Sequence, residues 1–149
     1  MISARESAAV SEFVKSGAAI HSMRDNPYHD NPLMGGTFGA NLMGENVRKS
    51  WRSSWEKIIN DKLTFTARKE KGPDQTLLTR HIWPWGQNMS LQHDSYLCKK
   101  YTGSVGFPTE RKNEDFNFIG ARAHSTVGSY RLWKKCPELC RRRQEWEYC

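Results

Sequence analysis

AAIHSMRD (residues 18–25) sets the fold class expected of this 149-residue chain. Residues 18–23 are a short apolar run suited to a buried strand, and turn-forming residues crowd the loop after it. Open α/β sheets bind ligands beyond the carboxyl ends of their strands, so Arg24 and Asp25 stand where a site is expected. Arg24 could hold a phosphate and Asp25 a sugar hydroxyl, although a structural Arg–Asp ion pair accounts for the same residues.

The rest of the chain alternates helical patterns with short strand patterns. Apolar periodicity and turn signals predict three helices, over residues 3–15, 46–62 and 74–81. Two further strands are predicted around residues 93–98 and 116–120. Residues 82–85, IWPW, are expected to form an extended edge or a loop. This mixture predicts an α/β or α+β domain whose strand order the sequence leaves open.

The charge of the chain is concentrated near its carboxyl end. The net charge is +7, and Arg141-Arg142-Arg143 is the densest basic run. Such a patch can attract nucleic acid, an acidic membrane or an anionic glycan, but a solvated face is the simpler interpretation. No recognised nucleic-acid motif accompanies it, so no nucleic-acid partner is expected.

The cysteines form an even set, of which three lie close together: Cys98, Cys136, Cys140 and Cys149. Such a set favours disulfides in an oxidising compartment, and three pairings are possible. Unpaired thiols and a zinc site are the alternatives, but for zinc the last three cysteines have no second close pair and no histidine among them. A protein of an oxidising compartment needs a targeting signal, but no signal peptide or membrane span is visible in this sequence. The true amino terminus is therefore expected upstream of Met1.

Three further clusters carry candidate chemistry. Gly35 and Gly36 offer bare backbone on which a sugar or diphosphate could lie flat, or they mark a tight turn. Asp74 and Gln75 open a short helix, where a carboxylate could accept hydrogen bonds from sugar hydroxyls or act as a base, or could simply cap the helix. His93 has an imidazole of the kind that binds Mn²⁺ or Zn²⁺, although a lone histidine is more often structural.

The order of four motifs resembles a family of predicted nucleotide-sugar glycosyltransferases from bacteria and invertebrates: Met23-Arg24-Asp25-x-Pro27, Gly35-Gly36-x-x-Gly39, Asp74-Gln75-x-x-Leu78 and His93-Asp94-x-Tyr96. That family resembles the type-A glycosyltransferase fold, a Rossmann-like α/β sandwich. The resemblance implies transfer of a sugar from a nucleoside diphosphate donor to a glycan or glycoprotein acceptor. It also implies Mn²⁺ or another divalent metal, and a Golgi or endoplasmic reticulum location.

The resemblance also assigns roles to individual residues. It implies that Arg24, Asp25, Gly35 and Gly36 line the donor pocket and that His93 holds the metal or the diphosphate. It implies that Asp74, with Gln75, contacts the sugar or the acceptor. Asp74 would serve as the base if the reaction inverts configuration.

The chain departs from this family in one respect, because no Asp-x-Asp metal pair occurs in it. The strand that carries this pair is expected just before Ser3-Ala4-Arg5-Glu6, so the chain is expected to be the carboxyl-terminal half of the enzyme. Residues 1–130 would then belong to the catalytic domain, and residues 131–149 would form a basic cysteine-containing tail. We expect the metal carboxylates and any membrane anchor upstream of Met1, and no sugar transfer by residues 1–149 alone.

Two alternatives from other functional classes remain. A small secreted carbohydrate-binding module would stack exposed Trp83 and Trp85 on sugar rings and would need neither nucleotide nor metal. A basic nucleic-acid-binding domain would use the carboxyl tail, and its binding would depend steeply on salt.

Overall fold

The computed structural model describes residues 4–28, 30–66, 72–111 and 135–149. Five α-helices lie within them: α1 (Ala4–Ser16), α2 (Glu45–Asn60), α3 (Lys62–Thr66), α4 (Pro73–His81) and α5 (Trp83–Gly86). The described strands are β1 (Ile20–Arg24), β2 (Phe38–Ala40) and β3 (Ser90–Asp94). Short 3₁₀ turns cover Gln87–Met89 and Glu138–Cys140. The mixed α/β class predicted from the sequence is confirmed.

The three strands form one mixed sheet in the order β2-β1-β3. β1 is antiparallel to β2 and parallel to β3, and Arg24 lies directly opposite Asp94 in the parallel pair. Parallel strands need a long crossover between them. The segment that contains β2 and α2 to α5 supplies this crossover.

Helices cover both faces of the sheet. Side chains alternate between these faces along a strand, so successive residues of β1 contact different helices. Ile20 packs with Ile58 of α2 and with Ile82, between α4 and α5, in the main hydrophobic core. The next residue, His21, points to the opposite face, where Phe13 of α1 stacks on it with ring centroids 4.7 Å apart. The sheet is therefore enclosed between α1 and the group of helices that follows β2.

The predicted helices are confirmed as α1, α2 and α4, and the predicted strand at residues 18–23 is β1, displaced toward Arg24. The strand predicted around residues 116–120 lies outside the described residues. None of the helices in the described ranges is both long and apolar enough to cross a membrane.

The extended conformation expected for residues 82–85 is wrong, because they enter the short helix α5. The N–H of Ile82 donates to Leu78 O at 2.9 Å, and the N–H of Gly86 donates to Ile82 O at 3.0 Å. Helical hydrogen bonding thus passes directly from α4 into α5. Pro84 lies in the first turn, where its missing N–H leaves no helical bond unmade.

β3 ends earlier than the pattern around residues 93–98 predicts. The carboxylate of Asp94 accepts hydrogen bonds from the backbone N–H groups of Tyr96 at 2.8 Å and Leu97 at 2.6 Å. Such side-chain-to-backbone bonds compete with the strand ladder and turn the chain. Residues 95–98 therefore bend away from the sheet, whereas the sequence predicts that they continue the strand.

The predicted disulfides are confirmed, and they pair Cys98 with Cys140 and Cys136 with Cys149. All four half-cystines are buried, and they tie residues 135–149 to the chain that follows β3. Two disulfides indicate an oxidising compartment.

Candidate functional site

Asp74 lies exposed in the first turn of α4. Gly72 has a φ of +84°, in the left-handed region that favours glycine, and Pro73 follows as the first residue of the helix. The N-cap position belongs to Gly72, so the simpler interpretation of Asp74 as a helix cap is wrong. The partial positive charge of the helix N-terminus stabilises a carboxylate at position 74.

Gly35 lies directly against this carboxylate. A Cβ atom added at position 35 would overlap Asp74 Oδ2, whereas one added at Gly36 would meet nothing within 4 Å. The absence of a side chain at position 35 is therefore what lets Asp74 approach the loop that follows β1. Gly36 is exposed beside it.

A second contact holds the same loop against α4. Asn31 Nδ2 donates a hydrogen bond of 2.8 Å to Gln75 Oε1. The structure thus brings together four of the seven predicted site residues, and we call the group the Asp74 site: Asn31, Gly35, Gly36, Asp74 and Gln75. Sequence reasoning missed Asn31, since an asparagine before a proline in a turn-rich loop is indistinguishable from an ordinary turn former.

Arg24 lies on the core side of that loop and is fully buried. Its guanidinium donates four hydrogen bonds: from Nε to Asp94 Oδ2 (2.6 Å), from Nη1 to Ser22 Oγ (3.1 Å) and Pro32 O (2.8 Å), and from Nη2 to Gln92 Oε1 (2.9 Å). Its ion-pair partner is Asp94, on the neighbouring strand, and not Asp25. Arg24 therefore fixes the Pro32 end of the loop, and the donor-binding role stays a prediction.

Asp25 is also buried, with 7% of its surface exposed. Arg111 Nη2 donates to the backbone oxygen of Asp25 at 3.1 Å and lies 3.8 Å from its carboxylate Oδ2. Asp25 is thus engaged inside the protein at the start of the loop. Its predicted contact with a donor sugar stays a prediction as well.

His93 lies on the other face of the sheet from Arg24 and is fully buried. Its Nδ1 is 2.8 Å from His21 Nε2, and its Nε2 is 2.8 Å from Glu12 Oε2. The same Glu12 oxygen accepts a hydrogen bond of 2.6 Å from Arg142 Nη2. The result is a continuous chain of polar groups that runs from the surface at Arg142 to the buried imidazole of His21.

The environment of this chain shifts two pKa values. Burial, together with repulsion from His93, lowers the pKa of His21 to about 4, so His21 is neutral near pH 7. Burial alone would raise the pKa of Glu12, but hydrogen bonds from Arg142 and His93 outweigh it and hold that pKa below its usual value. An ionised Glu12 therefore accepts from His93, and His21 stays uncharged in the core.

The described residues do not fit a Mn²⁺ ion as they are arranged. Both ring nitrogens of His93 are engaged in hydrogen bonds, so a metal would have to displace one of them. Asp94, Cys98 and Cys140 bring potential ligand atoms within 4.8 Å of one another. Those two sulfurs are joined in a disulfide and are not thiolates, and the Asp94 carboxylate holds Arg24.

Two open cavities lie near the crossover helices. The larger, of about 580 Å³, is a basic groove at the carboxyl end of α4, away from Asp74. It is lined by residues of α2, α4 and α5: Lys49, Ser50, Ser53, Ser54, Lys57, Arg80, His81, Pro84 and Trp85. The smaller, of about 330 Å³, is lined mainly by amide and hydroxyl side chains, with Gln92 of β3 among them. None of the seven residues predicted for the glycosyltransferase site lines either cavity, whereas Trp85 lines the larger one and Trp83 the smaller.

The residues behind the two alternative functions are partly engaged in the fold. Trp83 and Trp85 are half-buried against the core and are not the freely exposed rings expected of a surface sugar platform. Trp85 Nε1 donates to Ser54 Oγ at 2.8 Å. In the basic run, Arg141 Nε donates to Cys136 O at 2.9 Å, which serves the fold of the terminal segment.

No family model, no curated protein and no solved structure was found to match this chain. The resemblance to glycosyltransferases therefore stays a prediction from the sequence motifs. The observations that bear on function are the residues of the Asp74 site and their geometry.

Proposed function

We propose that this protein is a glycosyltransferase, or the part of one, that binds the sugar of a nucleoside diphosphate donor at the Asp74 site. The observation that carries the proposal is the contact between the exposed carboxylate of Asp74 and the bare backbone at Gly35. Two segments 39 residues apart along the chain, both selected from the sequence as sugar-binding candidates, meet there.

The chemistry of the Asp74 site suits a polyol. A carboxylate accepts two or more hydrogen bonds from hydroxyl groups, and such charge-assisted bonds are stronger than neutral ones. Gly36 leaves the adjacent backbone uncovered, so a flat ring can approach it closely. Gln75, whose Oε1 accepts from Asn31, directs its amide Nε2 elsewhere and can offer a donor to a sugar oxygen.

Asp74 would also serve the transfer step. A carboxylate beside the donor sugar can accept the proton of the acceptor hydroxyl as that oxygen attacks the anomeric carbon. The base must lie within hydrogen-bond reach of the hydroxyl, and an exposed Asp74 leaves room for an acceptor. This role belongs to an inverting reaction.

A divalent metal, when bound, would neutralise charge on the departing diphosphate. The roles proposed for Asp74 and Gln75 are contacts with the sugar and with the acceptor hydroxyl, and neither residue is proposed as a ligand of the metal. The predicted Mn²⁺ requirement is addressed by comparing donor binding with and without added Mn²⁺.

The architecture and the cysteines are compatible with this proposal. Two parallel strands joined by a helical crossover are the basic unit of nucleotide-binding α/β folds, to which the type-A glycosyltransferase fold belongs. The oxidising compartment indicated by the disulfides agrees with a glycosyltransferase of the secretory pathway.

The test measures donor binding by the whole chain. Saturation-transfer NMR detects the binding, with a panel of uridine and guanosine diphosphate sugars as ligands. We expect at least one donor to bind through its sugar protons. Asp74→Asn should weaken that binding about tenfold, because it removes the charge from the hydrogen bonds to the hydroxyls. The matched control is Glu56→Gln, an exposed carboxylate on α2, which should bind like the wild type.

Two results would overturn the proposal. One is the absence of binding by every donor in the panel, with and without Mn²⁺. The other is donor binding that Asp74→Asn leaves unchanged, which would place the sugar elsewhere on the molecule.

A further inference from the structure

The smaller cavity has a lining suited to hydroxyl-rich ligands, and we call it the Gln92 cleft. Its volume of about 330 Å³ is near the lower end of the range of small-molecule sites. Two aromatic side chains line it together with amide, hydroxyl and amino groups: Trp83, Tyr101, Gln87, Asn88, Gln92, Thr102 and Lys100. Drug-like pockets are mostly apolar, so this polar lining calls for a ligand with many hydrogen-bonding groups.

Gln92 gives the cleft a donor of fixed orientation. The residue is only 8% exposed, and its Oε1 accepts a hydrogen bond of 2.9 Å from Arg24 Nη2. Arginine is exclusively a donor, so the oxygen of the amide must face it and the Nε2 group must point away. Within the described part of the chain, no protein group accepts from Nε2, and Gln92 lines the cleft. The amide N–H groups are thus held ready for an acceptor atom.

The wall of the cleft formed by Lys100 and Tyr101 is held in place and carries little net charge. Lys100 Nζ lies 2.6 and 2.8 Å from the two carboxylate oxygens of Asp30. The hydrogen bond from Lys100 lowers the pKa of Asp30, so both groups are charged and neutralise each other. The guanidinium of Arg24 lies 3.9 Å from the centre of the Tyr101 ring and fixes that wall. An uncharged ligand therefore fits this cleft better than a phosphate does.

We propose that the Gln92 cleft binds one uncharged sugar unit. The hydroxyls of a sugar ring pair with planar amides and with other hydroxyl groups. Gln92, Asn88 and Thr102 present these groups, and the lining of the cleft is almost entirely polar. The ligand bound there is the acceptor glycan, an assignment that rests on the proposed function.

The loop after β1 connects the cleft to the Asp74 site. Asp30 pairs with Lys100 and accepts from the Tyr101 hydroxyl at 3.3 Å, both at the edge of the cleft. The next residue, Asn31, donates to Gln75 at the Asp74 site. Neighbouring residues of one loop thus contact both places, as is needed if donor and acceptor are to meet.

The experiment is saturation-transfer NMR on the whole chain with free glucose, galactose, mannose and N-acetylglucosamine, with glucose 6-phosphate as the anionic comparison. We expect a neutral sugar to bind. Gln92→Glu keeps an acceptor for Arg24 but removes the amide donors, and it should weaken that binding about tenfold. Thr102→Ala, at an exposed cleft residue, should weaken it as well, and it carries the test if Gln92→Glu does not fold. Gln144→Glu, exposed on the terminal segment, is the matched control and should bind like the wild type.

The outcomes separate this inference from the proposed function. Binding of no neutral sugar, preference for glucose 6-phosphate, or neutral-sugar binding that survives both cleft variants would overturn the cleft assignment. Neutral-sugar binding that depends on Gln92, in a protein that binds no sugar nucleotide, would support the cleft and overturn the glycosyltransferase proposal alone.

Discussion

Gly35 and Gly36 are adjacent residues that should respond very differently to the same substitution. Gly35→Ala places a methyl group where the Asp74 carboxylate lies, and Gly36→Ala places one in open space. The carboxylate is the mobile end of an exposed side chain, so it should move aside at a stability cost of less than about 1 kcal/mol. Donor binding should nevertheless weaken about tenfold, because Asp74 leaves its position.

Thermal unfolding and donor titration of the two variants check this expectation. Gly36→Ala is the control and should match the wild type in unfolding temperature. Equal donor binding by both variants would show that the contact between Gly35 and Asp74 has no part in recognition.

Arg24 shows why the sequence alone could not decide the role of every candidate residue. The sequence shows the charge of Arg24 and its position at the end of a buried strand. Both features fit a residue that contacts a ligand, and they fit a residue in an internal ion pair equally well. The register that sets Arg24 opposite Asp94 decides its partner, and it depends on pairing between strands about 70 residues apart. No local pattern encodes that pairing, so Asp25 looked like the partner.

At the scale of elements, Asp61 joins α2 and α3 to α4. Its Oδ1 accepts from the N–H of Leu63, and its Oδ2 lies 2.8 Å from both Arg80 Nη1 and His81 Nε2. The hydrogen bond from His81, with the others, lowers the pKa of Asp61 to about 2. A depressed carboxyl pKa stabilises the folded state above the unfolded pKa of about 4, and that contribution is lost as the pH falls toward 2.

Asp61→Asn should therefore be less stable than the wild type at pH 7, and the difference should shrink between pH 4 and pH 2. Urea unfolding at a series of pH values measures it. Glu56→Gln, at an exposed carboxylate of α2, is the control and should follow the wild type throughout. A difference between Asp61→Asn and the wild type that does not change with pH would contradict the lowered pKa.

Elements with a long apolar period were predictable, whereas short ones depended on their neighbours. α2 repeats apolar residues at helical spacing over its whole length, so its identity is local information. α5 has four residues and contains Pro84, and it is helical because α4 delivers a ready-made turn at Ile82. The end of β3 likewise depends on the hydrogen bonds that the Asp94 carboxylate makes after the strand.

For the whole molecule, the two disulfides should contribute unequally to stability. They close loops whose ends are 42 and 13 residues apart. The loss of chain entropy in the unfolded state corresponds to about 4 kcal/mol for the Cys98–Cys140 loop and about 3 kcal/mol for the Cys136–Cys149 loop. Replacing both cysteines of the first pair by alanine should therefore cost about 1 kcal/mol more than replacing both of the second.

Urea unfolding of the two double variants, and of the wild type with a reducing agent, tests this ranking. Reduction should destabilise the wild type. When both double variants are also reduced, the difference between their free energies of unfolding should become small. A wild type whose stability does not respond to reduction would contradict a structural role for these disulfides.

The candidate site as a whole was only partly within reach of the sequence. Turn and helix-start chemistry marked Gly35 and Asp74 separately. Their contact is a property of the crossover, which returns α4 to the loop after β1, and no strand order was available to predict it. Of the Gln92 cleft, the sequence marked only Trp83, as a sugar-stacking candidate, because a single glutamine in a strand has no pattern.

The pairing of Cys98 with Cys140 also sets a timetable for synthesis. A ribosome adds about 5–20 residues per second, so Cys140 is made roughly 2–8 s after Cys98. β3 precedes Cys98 and can dock on β1 during that interval, before any correct partner thiol exists. Cys98 must therefore stay an unpaired thiol in an oxidising compartment until Cys140 follows, and a disulfide isomerase would then meet Cys136, Cys140 and Cys149 in quick succession.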